Sequence, residues 1–128
     1  MAKTIHGRFW GEVAARHRID PRIYPIGDGW ADILDRLLDD LERMGWRWTP
    51  ITRLEEKYGQ LRFEAGNPNN PPSYEGWPTE WEARTTEAES ESNRTCSRCG
   101  RPGDEVVIHR WIHKLCPVCA VEARTDAG

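Results

Sequence analysis

Between Asp28 and Trp46, the apolar residues Ile33, Leu34, Leu37, Leu38, Leu41 and Met44 recur at the spacing of one helical face. Asp32, Asp35, Arg36, Asp39 and Asp40 fill the other face. This periodicity predicts an amphipathic helix from about Trp30 to Met44, with Asp28 placed to cap its start and Gly45 to stop it.

The pattern then shortens. In WRWTPITRLEEKYGQLRFEAG, Ile51 and Leu54 precede a Tyr58-Gly59-Gln60 turn, and Leu61 and Phe63 follow it. Two antiparallel strands joined at Gly59 fit best, with helix as the rival reading for Thr52–Lys57. Upstream, FWGEVAARH within Arg8–Arg18 predicts a short helix that packs Phe9, Trp10 and Val13. The stretch NPNNPPSYEGWP reads as a loop, because its prolines forbid regular pairing. Beyond it, Pro78 suits a first helical position and Glu80 and Glu82 a helix N-terminus, so a helix is expected over about Pro78–Asn93. Its apolar face is thin, mainly Trp77, Trp81 and Ala88.

All four cysteines lie near the C-terminus, as Cys96-Ser97-Arg98-Cys99, sixteen intervening residues, and Cys116-Pro117-Val118-Cys119. Paired C-x2-C knuckles at this separation let four thiolates converge in a tetrahedron about zinc. The alternative is two disulfides or free buried thiols, but this chain begins with charges where a secretory signal needs an apolar stretch, and a reducing compartment, which disfavours disulfides, is expected. Gly100 and Gly103 flank the first knuckle, EVVIHRWIHKL can form a short hairpin, and CPVCAVEAR can begin a helix. That order predicts a treble-clef-like finger more than a zinc-ribbon-like one. With four protein ligands no position remains for a reactive water, so one structural Zn²⁺ held by Cys96, Cys99, Cys116 and Cys119 is expected.

These elements predict an α+β fold in three parts: a helix and β-hairpin body over 1–66, a Pro-rich loop and connecting helix over 67–95, and a zinc-binding module over 96–128. At 128 residues, one modest core plus a small appended module is the limit. The three parts carry 11, 2 and 5 basic against 11, 6 and 4 acidic side chains, local balances of 0, −4 and +1. A net charge of −3 offers no global attraction to nucleic acid or anionic membrane. No apolar run approaches the roughly 20 residues that cross a bilayer, and a cytoplasmic protein is expected.

Weaker constellations each have an ordinary explanation. His109 and His113 share a face if their stretch is extended, which suits a second metal site or an acid/base pair, yet hairpin-surface residues beside a zinc module is the simpler reading. Treble-clef nucleases also need a histidine or asparagine on the final helix, and Pro117–Arg124 has neither. Asp28, Asp32, Asp35, Asp39 and Asp40 could gather Mg²⁺, but Asp32 precedes Arg36 by four residues and Asp39 precedes Arg43 by four, the ion-pairing pattern of a solvated face. Aromatic and basic residues interleave at Arg8-Phe9-Trp10, Trp46-Arg47-Trp48, Arg62-Phe63 and His109-Arg110-Trp111, a base-stacking pattern, although most tryptophans of a small protein are core. Gly27-Asp28-Gly29 lacks a following Gly-Lys-Ser/Thr and reads as helix-cap chemistry. Ser73, Ser90, Ser92 and Ser97 sit in no nucleophile elbow, so no catalytic set emerges and no enzyme is expected.

Three segments taken together, GDGWADILDRLLDDLE (Gly27–Glu42), EEKYGQLRFEA (Glu55–Ala65), and TCSRCGRPG with WIHKLCPVCA (Thr95–Gly103, Trp111–Ala120), resemble a group of small proteins of bacteriophages, prophages and bacterial genomes. Those relatives show a GDGW-type turn, a KEKFG-LRFY-like segment and a four-cysteine module. Here EKYGQ carries tyrosine and glutamine where the group has phenylalanine and a small residue. The resemblance implies a phage or mobile-element accessory protein that binds and inhibits a host protein or ribonucleoprotein, in the manner of anti-CRISPR or other counter-defence proteins. The contact surface expected for that role is the acidic face Asp32, Asp35 and Asp39, or the loop bearing Tyr74, Trp77 and Trp81. The alternative is a zinc-finger regulator that binds nucleic acid through Arg98, Arg101, Arg110 and Lys114.

Overall fold

The structure, a computed structural model, describes residues 7–47, 51–65 and 79–126. In chain order they form helix α1 (Trp10–Arg16), a 3-10 turn (Asp28–Trp30), helix α2 (Ala31–Arg43), strands β1 (Ile51–Lys57) and β2 (Gln60–Ala65), helix α3 (Thr79–Ser92), strands β3 (Asp104–Ile108) and β4 (Trp111–Leu115), and helix α4 (Pro117–Asp126). The fold is α+β, with each strand pair forming its own two-stranded antiparallel sheet.

Helix α2 is the centre of the body. Ile33, Leu34, Leu37, Leu38 and Leu41 are buried along one stripe and pack against Trp10 and Val13 of α1, Trp30, Trp46, Leu54, Leu61, Phe63, Trp81 and Ala88. Apolar area removed from water, at about 25 cal/mol per Å², is the main favourable term for such a core. The predicted stop is observed as a Schellman motif. Gly45 takes φ +110°, Trp46 N–H donates to Leu41 O at 3.0 Å, and Gly45 N–H to Glu42 O at 3.1 Å. The predicted cap is not. Asp28 makes no side-chain cap to its own helix, and instead its Oδ1 accepts from Trp10 N–H at 2.9 Å, satisfying the first turn of α1 across eighteen residues of sequence. In α1, Trp10 and Val13 pack as expected, whereas Phe9 is exposed.

The hairpin reading holds over the helical rival for Thr52–Lys57. Tyr58 and Gly59 both have positive φ, the type I′ pattern, and pair Lys57 with Gln60, Glu55 with Arg62 and Leu54 with Phe63. Leu54, Leu61, Phe63 and Ala65 turn inward, while Arg53, Glu55, Arg62 and Glu64 share the polar face. Helix α3 lies beside β2 and buries Trp81, Ala88 and Ser92. Pro78, Trp48, Tyr74 and Trp77 lie outside the described residues.

The acidic face of α2 departs from the solvated surface expected of it. Asp35 is buried, and its carboxylate accepts from Arg8 at 2.8 Å, from Arg16, and from His17 Nε2 at 3.0 Å. Asp39 pairs with Arg16 at 2.8 Å, and Arg43 turns to Asp40 instead of Asp39. Asp32 does meet Arg36, at 3.2 Å. The reason is helical geometry: Asp35 stands four residues after Ala31 and three before Leu38, both fully buried, so it lies inside the apolar arc and needs internal partners.

Candidate metal centre

Cys96 and Cys99 sit on a tight turn closed by Gly100 N–H donating to Cys96 O at 3.0 Å. Cys116 follows β4, and Cys119 is in the first turn of α4. This is the knuckle, hairpin and helix order that the spacing predicts. One backbone bond holds the knuckle against the hairpin, Ser97 N–H to Lys114 O at 2.9 Å, and another closes the knuckle loop on itself, Cys96 N–H to Arg101 O at 2.7 Å. Ile108, Leu115, Ala120 and Ala123 pack around the sulfurs as a second small core, with Val106 at its edge.

All four thiols are buried, none is in a disulfide, and their sulfurs lie within 4.8 Å of one another. Cys99 Sγ and Cys116 Sγ are 3.6 Å apart. A tetrahedron with metal–sulfur bonds of about 2.3 Å has edges of about 3.8 Å, whereas a disulfide needs about 2.05 Å. The cluster therefore has the dimensions of a tetrathiolate metal site. Burial opposes ionisation at Cys116, yet the Cys119 N–H, 3.4 Å away, and the neighbouring thiols bring it down to about 7. Burial and those same neighbours push Cys99 and Cys119 up. Four thiolates at this spacing need a cation.

The centre is bolted to the body by the Gly27-Asp28-Gly29-Trp30 turn. Gly29 N–H donates to Ser97 O at 2.8 Å, and the fully buried Trp30 indole donates to Thr95 O at 2.9 Å. A Cβ on Gly29 would overlap the Cys96 carbonyl oxygen, and one on Gly27 the Ser97 carbonyl oxygen. These glycines are thus required by close backbone approach to the knuckle, which corrects their reading as helix-cap residues.

The other candidate residues are placed as follows. His109 is exposed in the β3–β4 turn with φ +50°, whereas His113 lies within β4 opposite Val106, so the two do not share an extended face. Among the described residues neither belongs to a group that could hold a metal. Trp81 is core. Arg98, Arg101 and Arg110 are exposed, but Lys114 is only 5% exposed and meets Glu105 at 3.4 Å, which removes it from the proposed basic surface. Trp111 departs from the core expectation for tryptophan, at 72% exposed. His17 was not singled out by sequence reasoning. It is fully buried, with Nε2 on Asp35 and Nδ1 3.1 Å from Glu42 Oε2. Although His17, Asp35 and Asp39 lie within ligand distance of one another, the Arg16 guanidinium already occupies both carboxylates.

No known protein family, curated protein or solved structure matches this chain. No helix among the described residues is long and apolar enough to cross a membrane.

Proposed function

We propose that this chain is a non-enzymatic binding protein whose C-terminal, treble-clef-like module is built around one structural Zn²⁺. The observation that carries the reading is the closure of the thiol cluster: four buried cysteines supply four ligands, and a tetrahedral ion so held has no position for water or substrate. Tetrathiolate ligation and a d10 ion without geometric demands of its own favour zinc.

The contact surface is the tip of the β3–β4 hairpin. Trp111 is exposed there, and His109 and Arg110 form its turn with φ +50° and +73°. Exposed tryptophan flanked by arginine is the composition of a protein-binding hot spot. The resemblance to phage and prophage proteins supplies the setting of this proposal, an accessory protein that binds and inhibits a host protein or ribonucleoprotein in the host cytoplasm. Recovery of the tagged chain from a bacterial lysate tests it. A partner retained by wild type and by Glu82→Ala, but lost with Trp111→Ala, supports the reading; a partner retained by Trp111→Ala contradicts the surface.

The same exposed Trp111, with Arg110 and Arg101 near it in sequence, favours a second reading, base stacking on single-stranded nucleic acid. That reading requires affinity for an oligonucleotide that falls steeply with salt.

A further inference from the structure

Where α1 meets α2, a second cluster has the donor set of a metal centre, apart from the thiols and from the hairpin tip. His17, the residue after α1, is fully buried, and Asp35 and Asp39 stand four apart on one face of α2. Their three ligand atoms lie within 4.8 Å of one another.

The surroundings of His17 are those of a ligand. A metal-bound histidine donates its other ring N–H to a carboxylate, which fixes the tautomer, and Glu42 Oε2 stands 3.1 Å from Nδ1 to accept it. Nε2 then faces Asp35 Oδ1 at 3.0 Å and Asp39 Oδ1 at 3.9 Å. A lone pair and a carboxylate oxygen this close need a positive species between them, either the second ring proton or a metal ion. Ligands about 2.1 Å from one ion are about 3.0 to 3.4 Å apart, so the Nε2–Oδ1 pair has the spacing of one edge of a coordination shell. Arg8 holds the far oxygen of Asp35, Oδ2, at 2.8 Å, which keeps Oδ1 turned to the ring.

The cation now in this position is the Arg16 guanidinium, which bridges Asp35 and Asp39. Its side chain is 51% exposed and that of Asp39 36%. The arginine can therefore swing into solvent, and in doing so it opens a path from the surface to the two buried ligands. The two carboxylates it leaves carry the charge that one divalent ion balances.

We propose that His17, Asp35 and Asp39 bind one divalent first-row ion of the Mn²⁺ type, with Arg16 as the cation that it displaces. Two carboxylates and one imidazole suit such an ion, water completes its shell, and the thiol cluster keeps zinc. The ion clasps α1 to α2.

The test titrates Mn²⁺ into the intact chain carrying one equivalent of Zn²⁺ and reads paramagnetic broadening of the histidine ring resonances by nuclear magnetic resonance. Mn²⁺ stands lowest in the affinity order of the first-row divalent ions, so it leaves the zinc of the thiol cluster in place. The expected result is saturable broadening of the His17 ring before those of His109 and His113. Arg16→Met removes the competing cation at a half-exposed position and should lower the Kd by about tenfold or more, whereas Asp39→Asn should raise it by about as much. An ion-pair network with a structural role alone gives no tighter binding in Arg16→Met. Broadening of His17 no earlier than of His109 and His113, a response confined to Arg16→Met, or equal affinity in Arg16→Met and wild type each overturns the proposal. The wild-type titration decides the first of these even where a variant fails to fold.

Discussion

Gly29 and Ser97 are joined by a 2.8 Å backbone hydrogen bond from N–H to carbonyl, with the glycine so close to the knuckle that no side chain fits. The turn that opens α2 and the turn that carries two of the four cysteines are therefore parts of one contact. Whatever fixes the knuckle also fixes the buried Trp30 and the start of the central helix.

Gly29→Ala should destabilise the chain by about 3 kcal/mol, since the Cβ meets backbone that cannot rotate away. It should also weaken metal retention. Urea denaturation together with metal analysis checks both, and Gly11→Ala, where a Cβ meets open space, should show neither effect.

Asp35→Asn should cost about 2 kcal/mol, less than the loss of a fully buried ion pair because Arg8 and Arg16 are half exposed. Burial pushes the Asp35 carboxyl up, but hydrogen bonds from Arg16 and His17 and the charges of Arg16 and Arg8 outweigh it, and the group is held below its ordinary 3.8. The folded value is the lower one, so this stabilisation is complete above the unfolded value and is lost as pH falls through the folded one. Denaturation of wild type and variant at a series of pH values should show the gap constant at neutral pH and closing in acid below about pH 4.

Replacing His109-Arg110 by Asn-Gly should raise stability by about 1 kcal/mol, because both positions have the positive φ that Asn and Gly adopt readily. If the hairpin tip is the contact surface, the same change should weaken partner binding. A thermal melt beside a binding assay separates the two effects.

Zinc uptake by the reduced chain should release protons, since burial and crowding hold Cys99 and Cys119 protonated while Cys116 lies at about 7. Calorimetry in buffers of different ionisation enthalpy measures that release. The apparent affinity should fall as pH is lowered.

Much of this architecture was legible in the chain. The leucine stripe of α2, the Gly45 stop, the Gly59 turn and the two C-x2-C pairs are local patterns with a single physical meaning each. What escaped was non-local. Asp28 caps a different helix, and Gly27 and Gly29 answer to a knuckle nearly seventy residues downstream. Spacing places Asp35 within the apolar arc, but its partners Arg8, Arg16 and His17 belong to another segment, so an acidic surface was expected where a buried network lies. Trp111, the first residue of β4 after the tight turn, is exposed although its cross-strand partner Ile108 is buried in the second core, which composition alone does not reveal.

The most direct test of the account is native mass spectrometry of the purified chain before and after chelation, with hydrogen exchange followed at Gly29 and Trp30. The account predicts one zinc ion per chain, absent in Cys99→Ser, and faster exchange at Gly29 and Trp30 when the metal is removed. A folded, metal-free chain with those amides still protected would contradict it.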